Sequence, residues 1–362
     1  MISSPTDRVL RRQAQSRAIR SSRSGTLTGA MLDRRRVLAL CAGAAAASMS
    51  SCASRPEGEF VSVNGDRQWL LVSGQPTTGP ILLVLHGGPG GSETVLFRHF
   101  NRALEQQVRM AYWDQRGAGR SYDPQRPPAR MTVAQFVEDL AVMVQLLRDR
   151  YGVPVILLGH SWGSALGLLF VHAHPNATAA FVGVAPVADQ AAQEAASYGW
   201  ARSEARTRSH RTAQRELEDI GEPPFDVPKL MIKNRWVEAF GGTFAPGFGK
   251  WRTLARVILN CEASLGEVRQ LIAANHFSLG AMWPEVRTLD VPARVPAVSV
   301  PVAFLLGRHD RQCPSELSLD YFERLECPAK EAFWFERSAH NPPFEEPDAF
   351  NLIVSKLVRQ WT

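Results

Sequence analysis

A serine with a glycine two residues to either side, in Gly159-His160-Ser161-Trp162-Gly163, carries the most chemical content in this chain. A hydroxyl becomes a useful nucleophile when it is lifted clear of the backbone, given a base and opposed by hydrogen-bond donors. The flanking residues supply the lift. Residues 153–158 form a short apolar run of the length of a strand buried on both faces, and 164–172 continue as an apolar helix. A strand turning directly into a helix strains its middle residue, and glycines at the flanking positions give the turn room. The N–H of Trp162 then points at any oxyanion formed beside Ser161. The competing reading is a helix start whose serine merely caps N–H groups, so the partners decide.

In this strand order the orienting acid and then the base follow the serine, each just past a late strand. Gly307-Arg308-His309-Asp310 follows the apolar run 300–306, and Ser338-Ala339-His340-Asn341 follows 331–335. Ser161, Asp310 and His340 therefore fall at one carboxyl edge of a sheet, where sites assemble in open α/β sheets. Asp310 would hold one tautomer of His340, and His340 would take the Ser161 proton. Asp189, after the strand ending near Val184, is the alternative acid. His86-Gly87-Gly88-Pro89-Gly90 follows the run 81–85, and a loop so rich in glycine can bring an N–H within about 3 Å of an oxyanion. Gly88 is expected as that donor, ahead of Gly87, with Trp162 as the second. Neither a P-loop Lys-Ser/Thr nor a G-x-G-x-x-G run follows, so a phosphate cradle is disfavoured and no cofactor is expected.

The elements needed to position these groups alternate as in an α/β sheet. Runs 60–63 and 68–72 flank Asn64-Gly65, a strong hairpin signal. Further strands are expected at 81–85, 110–113 and 179–184, with helices at about 94–107, 132–151 and 347–361. The second helix has Thr132 as its cap and apolar positions Phe136, Leu140, Met143, Val144 and Leu147 at helical spacing. Between 189 and 290 the strand rhythm stops and the chain becomes helical, charged and aromatic, with Trp200, Trp236, Trp251 and Trp283. The expected organisation is a core of 53–188 and 291–362 interrupted by a helical lid, 189–290.

The chain has 362 residues, 45% of them apolar, enough for one large core. Its net charge of +6 sits in the leader: residues 1–52 hold nine Arg against Asp7 and Asp33, so the remainder carries 32 basic and 33 acidic groups. That balance gives no sign of a nucleic-acid partner. Asp33-Arg34-Arg35-Arg36 followed by a small-residue apolar stretch, 39–49, reads as a signal peptide too short to span a bilayer. Ser50-Ser51-Cys52 resembles a lipoprotein box, which would put a lipid on Cys52 as the one route to a membrane. Met49 departs from the usual Leu there, so ordinary cleavage nearby stays open. Met31 is a natural start for the leader, which makes 1–30 an upstream extension. Export to a bacterial periplasm, or anchoring there, is expected ahead of an organellar or cytoplasmic location. Cys261, Cys313 and Cys327 have no C-x-x-C pair and no zinc spacing with His, so no metal is expected.

The loop 86–90, the run Asp114-Gln115-Arg116-Gly117-Ala118-Gly119-Arg120-Ser121 and the elbow Ser161-Trp162-Gly163-Ser164 together resemble the proline iminopeptidase branch of the α/β-hydrolase family. The resemblance covers about 57–187 and 295–362. It implies Asp310 as acid, His340 as base and a structural role for Asp114 and Arg116. It also implies lid glutamates that bind the substrate's free α-amino group, of which Glu238 is the best match. The family commonly has Gly where this chain has His160. The expected activity is a serine hydrolase releasing N-terminal residues from small peptides through an acyl-enzyme, with lid aromatics forming an apolar pocket. A carboxylesterase or lactonase on the same triad is the alternative. A non-catalytic binding protein on this scaffold comes last, and an epoxide hydrolase or dehalogenase is disfavoured because the elbow would then carry Asp.

Overall fold

The computed structural model describes residues 58–74, 78–248, 257 and 263–361. The leader, Cys52, Trp251 and Cys261 lie outside them. Eight strands form one sheet: β1 (Glu59–Val63), β2 (Asp66–Ser73), β3 (Ile81–Leu85), β4 (Arg109–Asp114), β5 (Val155–His160), β6 (Ala180–Val184), β7 (Val302–Gly307) and β8 (Lys330–Phe335). Their spatial order is β1-β2-β4-β3-β5-β6-β7-β8. Pairing is antiparallel for β1–β2 and β2–β4 and parallel from β4 onward. The β1–β2 hairpin turns at Asn64 and Gly65, both with positive φ (47° and 77°), as a two-residue turn matched to strand twist requires.

The central strands are apolar throughout because both faces are covered. Ile81, Leu83, Leu85, Val155 and Leu157 point into one core cluster, whereas Leu82, Val84, Ile156 and Leu158 point into the other. Helices α3 (Val133–Tyr151) and α4 (Trp162–Ala173) cover the first face with Phe136, Leu140, Met143, Leu166 and Phe170. Helix α1 (Thr94–Phe100) and the C-terminal α12 (Pro347–Gln360) cover the second through Phe97, Phe350, Val354 and Leu357. Thr132 caps α3 by accepting the Gln135 N–H at 3.2 Å.

The single helix expected over 94–107 is two, α1 and α2 (Arg102–Glu105). Asn101 separates them: its N–H closes α1 on Phe97 O, and its carbonyl accepts Leu104 N–H to open α2. Between β6 and β7 the described residues are helical: α5 (Gln190–Thr207), α6 (Arg211–Asp219), α7 (Val227–Phe240), α8 (Leu265–Val286) and α9 (Val291–Arg294). The remaining helices are α10 (Ser315–Arg324) and α11 (Pro342–Glu345).

Candidate active site

Strand β5 ends at His160, α4 begins at Trp162, and Ser161 between them sits at φ 53°, ψ −118°. This conformation is costly for a residue with a Cβ, by about 1–3 kcal/mol, and persists only where surrounding contacts impose it. Here they do: Ser161 N–H donates to Val184 O on β6 (2.9 Å), and Ser161 O accepts both the N–H (2.9 Å) and the hydroxyl (2.5 Å) of Ser164. A Cβ at Gly159 would strike Gly163 O, and one at Gly163 would strike Leu85 O on β3. The two glycines are thus required by close backbone approach. Trp162 N–H, in the first helical position, has no intrahelical acceptor.

Asp310 and His340 come together. Asp310, 1% exposed, follows β7 and accepts His340 Nδ1–H at 2.8 Å through Oδ2. Its Oδ1 accepts the N–H groups of Gln312 (2.8 Å) and Cys313 (2.9 Å). A carboxylate facing Nδ1 puts the proton on that nitrogen and leaves the Nε2 lone pair of a neutral ring free to accept. One contact ties this pair to the elbow: His160 Nε2 lies 2.9 Å from His340 O. Burial and the neighbouring Asp310 charge push the Cys313 thiol well above its ordinary value, so it stays protonated. Cys313 and Cys327 are both free. Asp189, the alternative acid, instead caps α5 by accepting the Ala192 N–H at 3.1 Å.

The three motifs of the sequence are joined through Gln115. Gln115 donates its N–H to His86 Nε2 (3.1 Å) and its Nε2–H to His86 O (3.1 Å), and its Oε1 accepts the Trp162 indole N–H (3.1 Å). Since His86 Nε2 accepts, its proton is on Nδ1, which donates to Gly87 O (2.9 Å). Burial lowers the pKa of this ring and keeps it neutral. Asp114 accepts Ser92 Oγ–H (2.5 Å) and Arg120 N–H (2.8 Å), and Arg116 forks onto the fully buried Asp139 (2.7 and 2.9 Å). The loop holding Gly88 is therefore fixed to the turn holding Trp162.

Several buried or half-buried groups around the site carry no sequence signal. Glu93, the last residue before α1, meets His160 Nδ1 at 2.6 Å. Glu345 accepts Ala339 N–H and Asn341 N–H, both at 3.0 Å, on either side of His340, together with Ala245 N–H (2.5 Å) from the segment after α7. Thr243 O in that segment accepts His340 N–H at 3.1 Å. On α5 and α7, Glu194 and the fully buried Lys233 form an ion pair at 3.1 Å whose charges act on Cys313. Glu238, the amine anchor expected from the resemblance, is half-buried on α7. Two of the tryptophans between β6 and β7 pack those helices together: Trp283 is buried and donates to Phe225 O (2.8 Å), and Trp236 stacks on Phe240.

A mostly parallel sheet with a strained serine after its central strand, an acid after β7 and a histidine after β8 defines an α/β-hydrolase. The chain belongs to the serine aminopeptidase, S33, family, whose pattern it matches over residues 77–347, and it is an aminopeptidase-type serine hydrolase. It is 30% identical over 302 residues to a Bacillus subtilis (strain 168) protein described as a probable aminopeptidase, YbaC, covering 83% of this chain and 95% of that one. A proline iminopeptidase of Heyndrickxia coagulans is 25% identical over 315 residues, covering 83% and 97%. Among solved structures, the proline iminopeptidase of Mycobacterium smegmatis shares the fold with a TM-score of 0.64 at 20% identity, covering 84% of this chain and 98% of that one. An esterase of Exiguobacterium antarcticum shares it at a TM-score of 0.54 and 19% identity, covering 84% and 100%.

Proposed function

We propose that the protein releases N-terminal residues from small peptides through an acyl-enzyme on Ser161. The observation that carries the reading is the Nδ1–Oδ2 contact of 2.8 Å between His340 and Asp310, together with a serine held at positive φ in the turn from β5 into α4. Ser161 Oγ attacks the scissile carbonyl while His340 Nε2 takes its proton, and Asp310 stabilises the imidazolium. The tetrahedral oxyanion is met by the N–H groups of Gly88 and Trp162. His340 then returns the proton to the leaving amine, and a water deacylates the serine by the same route in reverse. No metal or cofactor has a part in these steps.

Aminopeptidase-named relatives over most of the chain support a free α-amino group, proline first among candidate residues, as the recognised end of the substrate. Glu238 is the candidate anchor for the ammonium. The second reading, an ester or lactone hydrolase, needs the same triad and no anchor; the burial of lid carboxylate Glu194 against Lys233 favours it, since that carboxylate is already neutralised. An aminoacyl-amide series led by proline, run beside short-chain acyl esters, separates the two. Turnover of the proline amide that vanishes on blocking its amine, and vanishes in Ser161→Ala, is the expected result. Ester-only turnover overturns the peptidase. We further propose export with lipid attachment at Cys52; metabolic labelling with a radioactive fatty acid that persists in Cys52→Ala rejects the anchor.

A further inference from the structure

His160 stands where the resembling family commonly has Gly, and its ring faces two acceptors. Nε2 lies 2.9 Å from the carbonyl oxygen of His340, and Nδ1 lies 2.6 Å from Glu93 Oε1. A backbone carbonyl can only accept, so Nε2 carries a hydrogen. A neutral ring with that hydrogen would turn the Nδ1 lone pair toward a carboxylate oxygen. The contact at 2.6 Å therefore requires a second proton, on Nδ1 or on Oε1. Both side chains are nearly out of water (3% and 12% exposed), and Glu93 Oε2 is buried without a hydrogen-bond partner. The shared proton is thus the main thing stabilising this carboxylate.

We propose that Glu93 and His160 form a proton-sharing positioning pair that fixes the base loop: Glu93, at the end of the glycine-rich loop, holds His160 in the protonation state that binds the His340 carbonyl. The pair joins oxyanion loop, elbow and base loop one layer behind the reacting atoms. The titratable groups facing the His160 ring are Glu93 from the start of α1 and His340 and Asp310 from the loops after β8 and β7, with the neutral His86 beyond Glu93. Phe344 closes the ring's remaining side edge-on at 6.3 Å. Burial opposes a charged His160, but the Glu93 carboxylate, the His340 carbonyl and Asp310 outweigh it and raise the ring's pKa. When the pair loses its proton, above the ordinary imidazole range, the remaining hydrogen goes to the nitrogen facing the carboxylate. Nε2 then turns a lone pair on the His340 carbonyl, and the strut becomes a repulsion.

The inference rests on His340 being the base for Ser161. Its test is the pH dependence of Ser161 labelling by an alkyl fluorophosphonate, resolved into kinact and KI. In Glu93→Gln the carboxamide donates to Nδ1, so Nε2–H stays in place without an extra proton. This variant should label within threefold of wild type at pH below the ordinary imidazole range and lack the fall that wild type shows as pH rises above that range. His160→Phe with Glu93→Met replaces the pair by apolar groups and removes the strut; kinact should drop tenfold or more with KI within threefold. Wild-type kinact in that double variant, or coincident high-pH limbs of the profile in wild type and Glu93→Gln, overturns the proposal. If the double variant does not fold, the Glu93→Gln profile decides. His340→Ala run in parallel separates the two levels: unimpaired labelling there sinks the triad itself, whereas an inert pair beside an impaired His340→Ala sinks only the pair.

Discussion

Asp310 spends both carboxylate oxygens on position, one on the imidazole and one on two backbone N–H groups of its own turn. Asp310→Asn keeps the shape but reverses the hydrogen-bond sense at Nδ1, so kcat should fall by about 10^3–10^4 with KM little changed, read from steady-state kinetics. Glu345 makes a different prediction. Burial pushes its carboxyl up to about 7, against the pull of the Ala245, Asn341 and Ala339 N–H groups. A carboxyl whose folded pKa lies above its unfolded value binds protons more tightly when folded. Its contribution to stability is therefore complete below the unfolded value of about 4.5 and is lost as pH rises through about 7. Urea unfolding between pH 4.5 and 7.5 should show this decline in wild type and a shallower one in Glu345→Gln; parallel curves contradict it. The strained turn at Ser161 and the Asp310–His340 contact were legible in the sequence because residue type, order and preceding strand all agreed there. Glu93 and Glu345 were not, because what they hold is a histidine ring folded back from the elbow and three backbone N–H groups, and neither leaves a pattern of side chains.

At the scale of elements, the elbow depends on how closely α4 and β3 approach. Gly163→Ala would drive a methyl into the backbone of β3, which cannot swing aside as a side chain can. A loss of at least about 1–3 kcal/mol in stability is expected by denaturant unfolding; an unchanged midpoint contradicts the close approach. Asp139 tests the opposite separation, of stability from chemistry. It accepts from Arg116, Gln68, Asn64 and Gln135, pinning the hairpin and the loop after β4 onto α3. Asp139→Ala leaves Arg116 buried beside the half-buried Asp66 alone and should cost about 3–5 kcal/mol. The kcat/KM of the folded fraction should stay within a few-fold, measured on the same samples. Strand positions were readable because runs such as 81–85 and 155–158 are apolar on both faces, which only a covered parallel sheet explains. The break between α1 and α2 was not: Thr94 to Glu105 keeps helix-compatible residues throughout, and the interruption comes from the backbone bonds that Asn101 makes in both directions.

Over the whole molecule, the helical stretch between β6 and β7 is anchored to the loops that carry Asp310 and His340. Its segment 241–245 reaches the base loop through Thr243 O and Ala245 N–H and the acid loop through Gly242 O and Arg311 N–H. The change of texture after residue 189 made the helices between β6 and β7 legible. It did not reveal which lid charges neutralise each other, because Glu194 and Lys233 are 39 positions apart on different helices. That pairing decides how much free negative charge is left to hold a substrate amine, so the substrate is the least legible part. The nucleophile is open to direct test. Rapid quench of the protein with p-nitrophenyl acetate, followed by peptide mass spectrometry, should find one acetyl group on Ser161 in wild type, none there in Ser161→Ala, and formation at least about 10^3-fold slower in His340→Ala. Acetyl transfer to another residue, or equal labelling of wild type and His340→Ala, would contradict the account.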